Sequence, residues 1–142
     1  MIQRYRAWDK TRNEWSNGFF IYSEGGLYTP DYGFNRKHFK KRTNVYPIVK
    51  QERFILMQST GLFDTFRQNE LFEDDVILWT YFDEWEDSGE ARIVYRDGCW
   101  KIVDVKTGKE VWDTLFDCLE NCDVYLAGNI YENPKLKEAT ND

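Results

Sequence analysis

The sequence predicts a mainly β protein of about eight short strands forming a barrel or sandwich, with one short helix near 113–121 and a long irregular excursion at 24–44. Three observations carry this reading. Val76-Ile77-Leu78-Trp79-Thr80-Tyr81-Phe82 is an unbroken run of β-branched and aromatic residues, the composition of a buried strand. Arg96-Asp97-Gly98 separates Ala91–Tyr95 from Cys99–Val105, and Asp-Gly between two β-rich runs is the strongest short-range hairpin signal. Helical spacing is confined to Leu115, Phe116, Leu119 and Cys122, so a single short helix is expected.

Taken in order, Gln3–Trp8 and Trp15–Tyr22 flank the turn cluster Asp9-Lys10-Thr11-Arg12-Asn13 and read as a first hairpin. Gly25-Gly26 and Pro30-Asp31-Tyr32-Gly33 then punctuate a polar, aromatic-studded stretch, which is why 24–44 is expected to be irregular. Val45–Val49 and Arg53–Gln58 read as two short strands, the second strongly apolar at Phe54-Ile55-Leu56-Met57. Asp74 and Asp75 stand in the turn feeding the Val76 strand, where an Asp side chain can accept from nearby backbone N–H groups. Phe82-Asp83-Glu84-Trp85-Glu86-Asp87-Ser88-Gly89 is expected to be a solvated acidic loop. After the 91–105 hairpin, Lys106-Thr107-Gly108-Lys109 is a further turn, and Asp113 is the expected cap of the helix. Asp123–Tyr131 returns to strand character, and Asn133-Pro134 ends it, because Pro has no N–H to continue a ladder.

At 142 residues, with 42% apolar and 18% aromatic side chains, the chain suits one domain over 1–136, followed by a frayed tail at 137–142. Three cysteines without a Cys-x-x-Cys pair argue for reduced thiols rather than a disulfide framework or a zinc ribbon. The opening residues have no basic stretch followed by an apolar one, and no apolar run approaches about 18 positions. A cytoplasmic protein that does not enter a membrane is expected.

The formal net charge of −6 is unevenly spread. Residues 31–63 carry seven basic and two acidic side chains, whereas 64–90 carry Arg67 against ten acids. Such blocks ordinarily pair with each other or face water; the alternative is a patch that meets a partner. Within the basic block, Phe34, Phe39 and Tyr46 interleave with Arg36, Lys37, Lys40, Lys41 and Arg42, which supplies charge for phosphates and rings for stacking on bases. These eight residues are the candidate contact site for a partner or a nucleic acid. A pI near 4.9 disfavours the nucleic-acid use, for which a basic domain is the usual footprint.

The run Glu73-Asp74-Asp75 invites a catalytic or metal reading. Successive strand residues point to opposite faces, so Asp74 and Asp75 cannot serve one cation cage without a bulge. The acids and glycine of 82–89 do not match calcium-loop spacing, and no phosphate-cradling glycine motif occurs. His38, the sole histidine, lies in the basic stretch, a poor platform for a nucleophile-base pair. Cys118 and Cys122 share a helix face but, with Cys99 and His38 as the other soft ligands, suit small buried hydrophobes better than zinc. No catalytic residue, metal ligand or cofactor is therefore assigned.

Three stretches, Tyr5–Lys10, Leu56–Asp64 with Leu71–Ile77, and Gly128–Pro134, together resemble the YopX family of phage and prophage proteins. The middle motif of that family runs from a Thr-Gly-Leu-x-Asp turn through an Asn-Gly turn to Glu-Gly-Asp before an apolar strand. Gly61, Leu62, Asp64, Glu73 and Asp75 match it. Asp74 stands where the family prefers Gly, and 64–70 lacks the Asn-Gly turn, which leaves the turn geometry open. The resemblance implies a mainly β protein encoded by a phage or integrated element, with no established activity and no site to transfer. The resulting expectation is a noncatalytic interaction module that binds a protein or itself, with a nucleic-acid accessory role through 34–46 as the alternative.

Overall fold

The computed structural model describes residues 3–16, 18–30, 48–81 and 84–138, with backbone alone at 84–86 and 137–138. The chain is mainly β, and its paired strands are antiparallel. Contacts divide it into two units, Ala7–Leu56 and a larger one of Met1–Arg6 with Met57–Asp142. Strands β1 (Tyr5–Asp9) and β6 (Phe54–Phe63) each run from one unit into the other.

In the smaller unit, the end of β1 pairs with β2 (Glu14–Trp15), with Trp8 opposite Trp15 and their rings edge to face at 5.0 Å. Asp9 makes the turn: its carboxylate accepts the Thr11 and Arg12 N–H groups, and Asn13 takes the left-handed conformation (φ 53°) that Asn tolerates. Strands β3 (Phe20–Ile21), β4 (Leu27–Pro30) and β5 (Ile48–Lys50) form a three-stranded sheet in that order. The irregular excursion expected from residue 24 is thus interrupted by β4, whose Leu27 and Thr29 are buried. Gly25 (φ 89°) folds the chain back, so that β3 and β4 pair across a turn whose glycines had suggested only a break.

The larger unit is built on a five-stranded sheet, β11-β10-β9-β8-β12. Its strands are β8 (Asp75–Tyr81), β9 (Glu84–Arg96), β10 (Cys99–Asp104), β11 (Glu110–Val111) and β12 (Asp123–Asn129). Asp97 and Gly98, both at positive φ, make the β9–β10 turn, as the Asp-Gly pair requires. The expected acidic loop at 82–89 is corrected: from Glu84 onward it is the first half of the 13-residue β9. Gly89 makes this pairing compact, because it lies opposite Trp79 in register, and a Cβ there would stand 3.0 Å from the indole.

Helix α1 (Leu115–Asn121) lays Leu115 and Cys118 on one face of this sheet, against Ile77, Ala91, Ile93, Ile102 and Val124. Its N-cap is Thr114 rather than Asp113: the Thr114 hydroxyl accepts the Asp117 N–H at 3.0 Å, three residues on, which the side chain of Asp113 is one position too early to do. A smaller cluster of Val76, Val105 and Ile130 receives Leu136 of the short helix α2 (Lys135–Glu138), so the expected frayed tail begins inside a helical turn. Strand β7 (Glu70–Phe72) pairs with the end of β6 and leads through Glu73-Asp74 into β8. Twelve strands are present among the described residues, more than the eight expected, because pairs as short as Glu14–Trp15 and Glu110–Val111 join ladders.

Candidate functional site

Residues from all three stretches that carry the family resemblance meet within the larger unit. From β1, Arg6 Nη2 donates to Asp75 Oδ1 at 2.7 Å and to the Glu73 carbonyl at 3.1 Å, while its guanidinium lies 4.7 Å over the Phe72 ring. Asp75 Oδ2 accepts the Phe72 N–H at 2.8 Å, which closes the turn before β8. Asn129, at the end of β12, donates to the Asp74 carbonyl at 3.2 Å and to Asp75 Oδ1 at 3.4 Å. Asn133 follows: its N–H donates to the Asn129 carbonyl and its Oδ1 accepts the Asn129 N–H. Gly128 admits this arrangement, since a Cβ there would meet Asn133 Oδ1 at 2.6 Å.

Asp74 sits at φ 69°, the left-handed region that glycine enters most freely. That accounts for the preference for Gly in the resembling motif and shows how Asp is accommodated. Its Oδ1 accepts both Arg92 Nε (3.0 Å) and Nη2 (2.8 Å), and its N–H donates to the Ile93 carbonyl at 2.9 Å. The departure at the preceding turn is resolved in the same way. Arg67 supplies the positive φ (55°), and the Asp64 carboxylate accepts the Gln68 and Asn69 N–H groups and the Asn69 side chain. Burial alone would raise the Asp64 pKa, but these hydrogen bonds outweigh it and hold the carboxyl below its ordinary range.

Burial has the opposite net result at Asp75, which is 1% exposed: desolvation lifts its pKa despite Arg6, the Phe72 N–H and Asn129. Burial likewise raises Glu73, and burial together with the Asp74 charge raises the Tyr131 phenol, which donates to Asp74 Oδ2 at 3.4 Å. The two aspartates face different guanidiniums and are occupied by them. Among the described residues, no group of three or more His, Cys, Asp or Glu side chains is arranged to hold a metal ion. Burial also pushes the Cys118 and Cys122 thiols up, away from the reactive thiolate. Asp74 and Asp75 thus clasp the turn to Arg92 and Arg6, and Glu73 joins them through its carbonyl, while its carboxylate accepts the Gln58 N–H at 3.4 Å.

A surface feature of the larger unit has a different character. Phe116 and Leu119 of α1 face the 61–67 turn across a groove of about 340 Å³ that Leu62, Phe63 and Arg67 also line. Arg67 stacks 4.9 Å over the Phe63 ring. In the same turn Phe66 lies 5.8 Å from Tyr125, and Thr65 fixes the turn on β12 through reciprocal bonds with Val124. Phe66 and Phe116 are 62% and 56% exposed. Sequence reasoning missed this groove because Phe116 was counted with the apolar stripe of the helix. The signal was its place one residue beyond Leu115, off the buried Leu115, Cys118 and Cys122 face. The predicted contact residues Phe34, Arg36, Lys37, Phe39, Lys40, Lys41, Arg42 and Tyr46, and with them His38, lie outside the described residues. No helix among the described residues is long and apolar enough to cross a membrane.

A family model described as YopX protein matches residues 4–138. The crystal structure of protein yopX from Bacillus subtilis is similar at a TM-score of 0.58 and 18% identity, covering 93% of this chain and 95% of that one. Protein EF1440 from Enterococcus faecalis is similar at 0.51 and 22%, covering 96% and 99%. At these identities the structural likeness speaks for the fold. No curated protein matches the sequence.

Proposed function

The chain belongs to the YopX family, and from that premise we propose that it is a noncatalytic interaction module, encoded by a phage or prophage and acting in the bacterial cytoplasm. It docks a partner protein, or a second copy of itself, in the groove between α1 and the 61–67 turn. The observation that carries this reading is the exposed ring of Phe116 in a mixed polar and apolar groove, with a second exposed ring, Phe66, in the same 61–67 turn. Single exposed apolar residues are ordinary, but rings grouped at a groove mark an interaction surface, and aromatic residues with Arg are the types enriched at protein interfaces. Noncatalytic action is supported by the way the buried polar groups are spent: the carboxylates hold guanidiniums and backbone N–H groups, and the α1 thiols are kept protonated.

The test is capture from a bacterial host lysate with the tagged chain, with and without nuclease, compared with Phe66→Ser/Phe116→Ser. Light scattering on each purified protein accompanies it. A partner or a dimer that the double variant loses, in a nuclease-independent way, is the expected result. Binding that the double variant retains contradicts the groove. Capture abolished by nuclease favours the second reading, a nucleic-acid accessory role for the basic, aromatic stretch 34–46.

A further inference from the structure

The apolar face of the five-stranded sheet carries α1 over part of its area, and elsewhere Trp79 and Tyr81 of β8 meet Trp112, which follows β11. Trp79 and Trp112 pack edge to face at 5.6 Å, and Tyr81 is nearly parallel to Trp112 at 6.2 Å. With Asp87 of β9 these three rings line an open hollow of about 270 Å³. The backbone fixes two of the four lining residues, Trp79 and Trp112. Trp79 lies close over Gly89, where a Cβ would stand only 3.0 Å from the indole and push it aside. Trp112 sits at φ 57°, a left-handed conformation that is a genuine outlier for a bulky residue. Strain of this kind persists only where the surroundings enforce it, and it gathers at ligand-binding sites.

We propose that this hollow binds a guanidinium cation presented on a peptide, that is, an arginine side chain of a partner. Aromatic faces carry negative potential and attract a cation within about 6 Å of the ring centroid, Trp most strongly. Asp87, exposed beside them, supplies a carboxylate able to take two parallel N–H donors. A planar, weakly hydrated guanidinium satisfies both walls, stacking on a ring while it pairs with the carboxylate; a compact, strongly hydrated ammonium does so less well.

The test uses the full ¹⁵N-labelled chain, whose six tryptophans give separate indole N–H resonances, titrated with N-acetyl-arginine methylamide. Saturable shifts confined to the Trp79 and Trp112 indoles are expected, about threefold weaker in Asp87→Asn, as for an exposed pair. They should be lost in Trp112→Leu, a variant that keeps apolar bulk and whose folding the remaining spectrum reports. The neutral citrulline analogue should produce no such shifts, and N-acetyl-lysine methylamide should bind more weakly than arginine. Absence of saturable shifts, equal shifts with the citrulline analogue, or lysine or tetramethylammonium binding as tightly as arginine would overturn the proposal.

Discussion

Asp75→Ala is expected to lower the free energy of unfolding by about 3–5 kcal/mol, the usual cost of removing one partner from a buried ion pair. The magnitude follows from what is left behind: Arg6, whose side chain is 21% exposed, loses a 2.7 Å bond, and the Phe72 N–H loses its acceptor. Asp75→Asn should cost less, because an amide oxygen can still accept the Phe72 N–H. Urea unfolding with an unchanged denaturant slope gives the comparison. The pair also sets a pH dependence. Burial raises the folded pKa of Asp75 above its unfolded value, so between the two values the folded state holds more protons. Stability contributed by this group therefore falls as pH rises through that window, and Asp75→Asn should flatten that part of the profile. Asp64, held below its ordinary value, has the opposite sign: its contribution is present above the unfolded pKa and is lost as pH falls through the folded one.

Asp74→Ala should destabilise by about 2–4 kcal/mol and Asp74→Gly by roughly 1 kcal/mol less. Both remove the two bonds to Arg92, worth about 1.5–3 kcal/mol when a charged group is involved. Alanine must in addition hold φ near 69°, at a cost on the order of 1 kcal/mol that glycine avoids. Equal losses in the two variants would mean that the left-handed backbone at this turn costs nothing and that the Arg92 pair is the whole effect.

What the sequence makes legible here is local. The 76–82 run and the Asp97-Gly98 turn are read from adjacent residues; residues 76–81 of the run stand in β8, and the turn joins β9 and β10 as expected. The first half of β9 was missed because its acids at 84, 86 and 87 suggest water, whereas its strand conformation comes from pairing with β8 and from Gly89 under Trp79. The clasp is hidden for a stronger reason. Arg6 and Asp75 are 69 positions apart, and nothing in the neighbourhood of either names the other. Strand alternation already argues against Asp74 and Asp75 sharing one cation, but only the three-dimensional pairing shows that they hold Arg92 and Arg6. The groove follows the same rule, since Phe116 changes from core to surface with a rotation of one helix position.

The claim that these carboxylates hold the fold rather than an ion or a reaction is tested most directly by thermal unfolding in millimolar calcium or magnesium, for the native chain and for Asp75→Asn. A ligand that binds only the folded state must raise the melting temperature. The expected result is the same melting temperature with and without either cation, and a lower one for Asp75→Asn in every condition. A saturable rise in the native chain that disappears in Asp75→Asn would contradict the account and make Glu73, Asp74 and Asp75 a cation site.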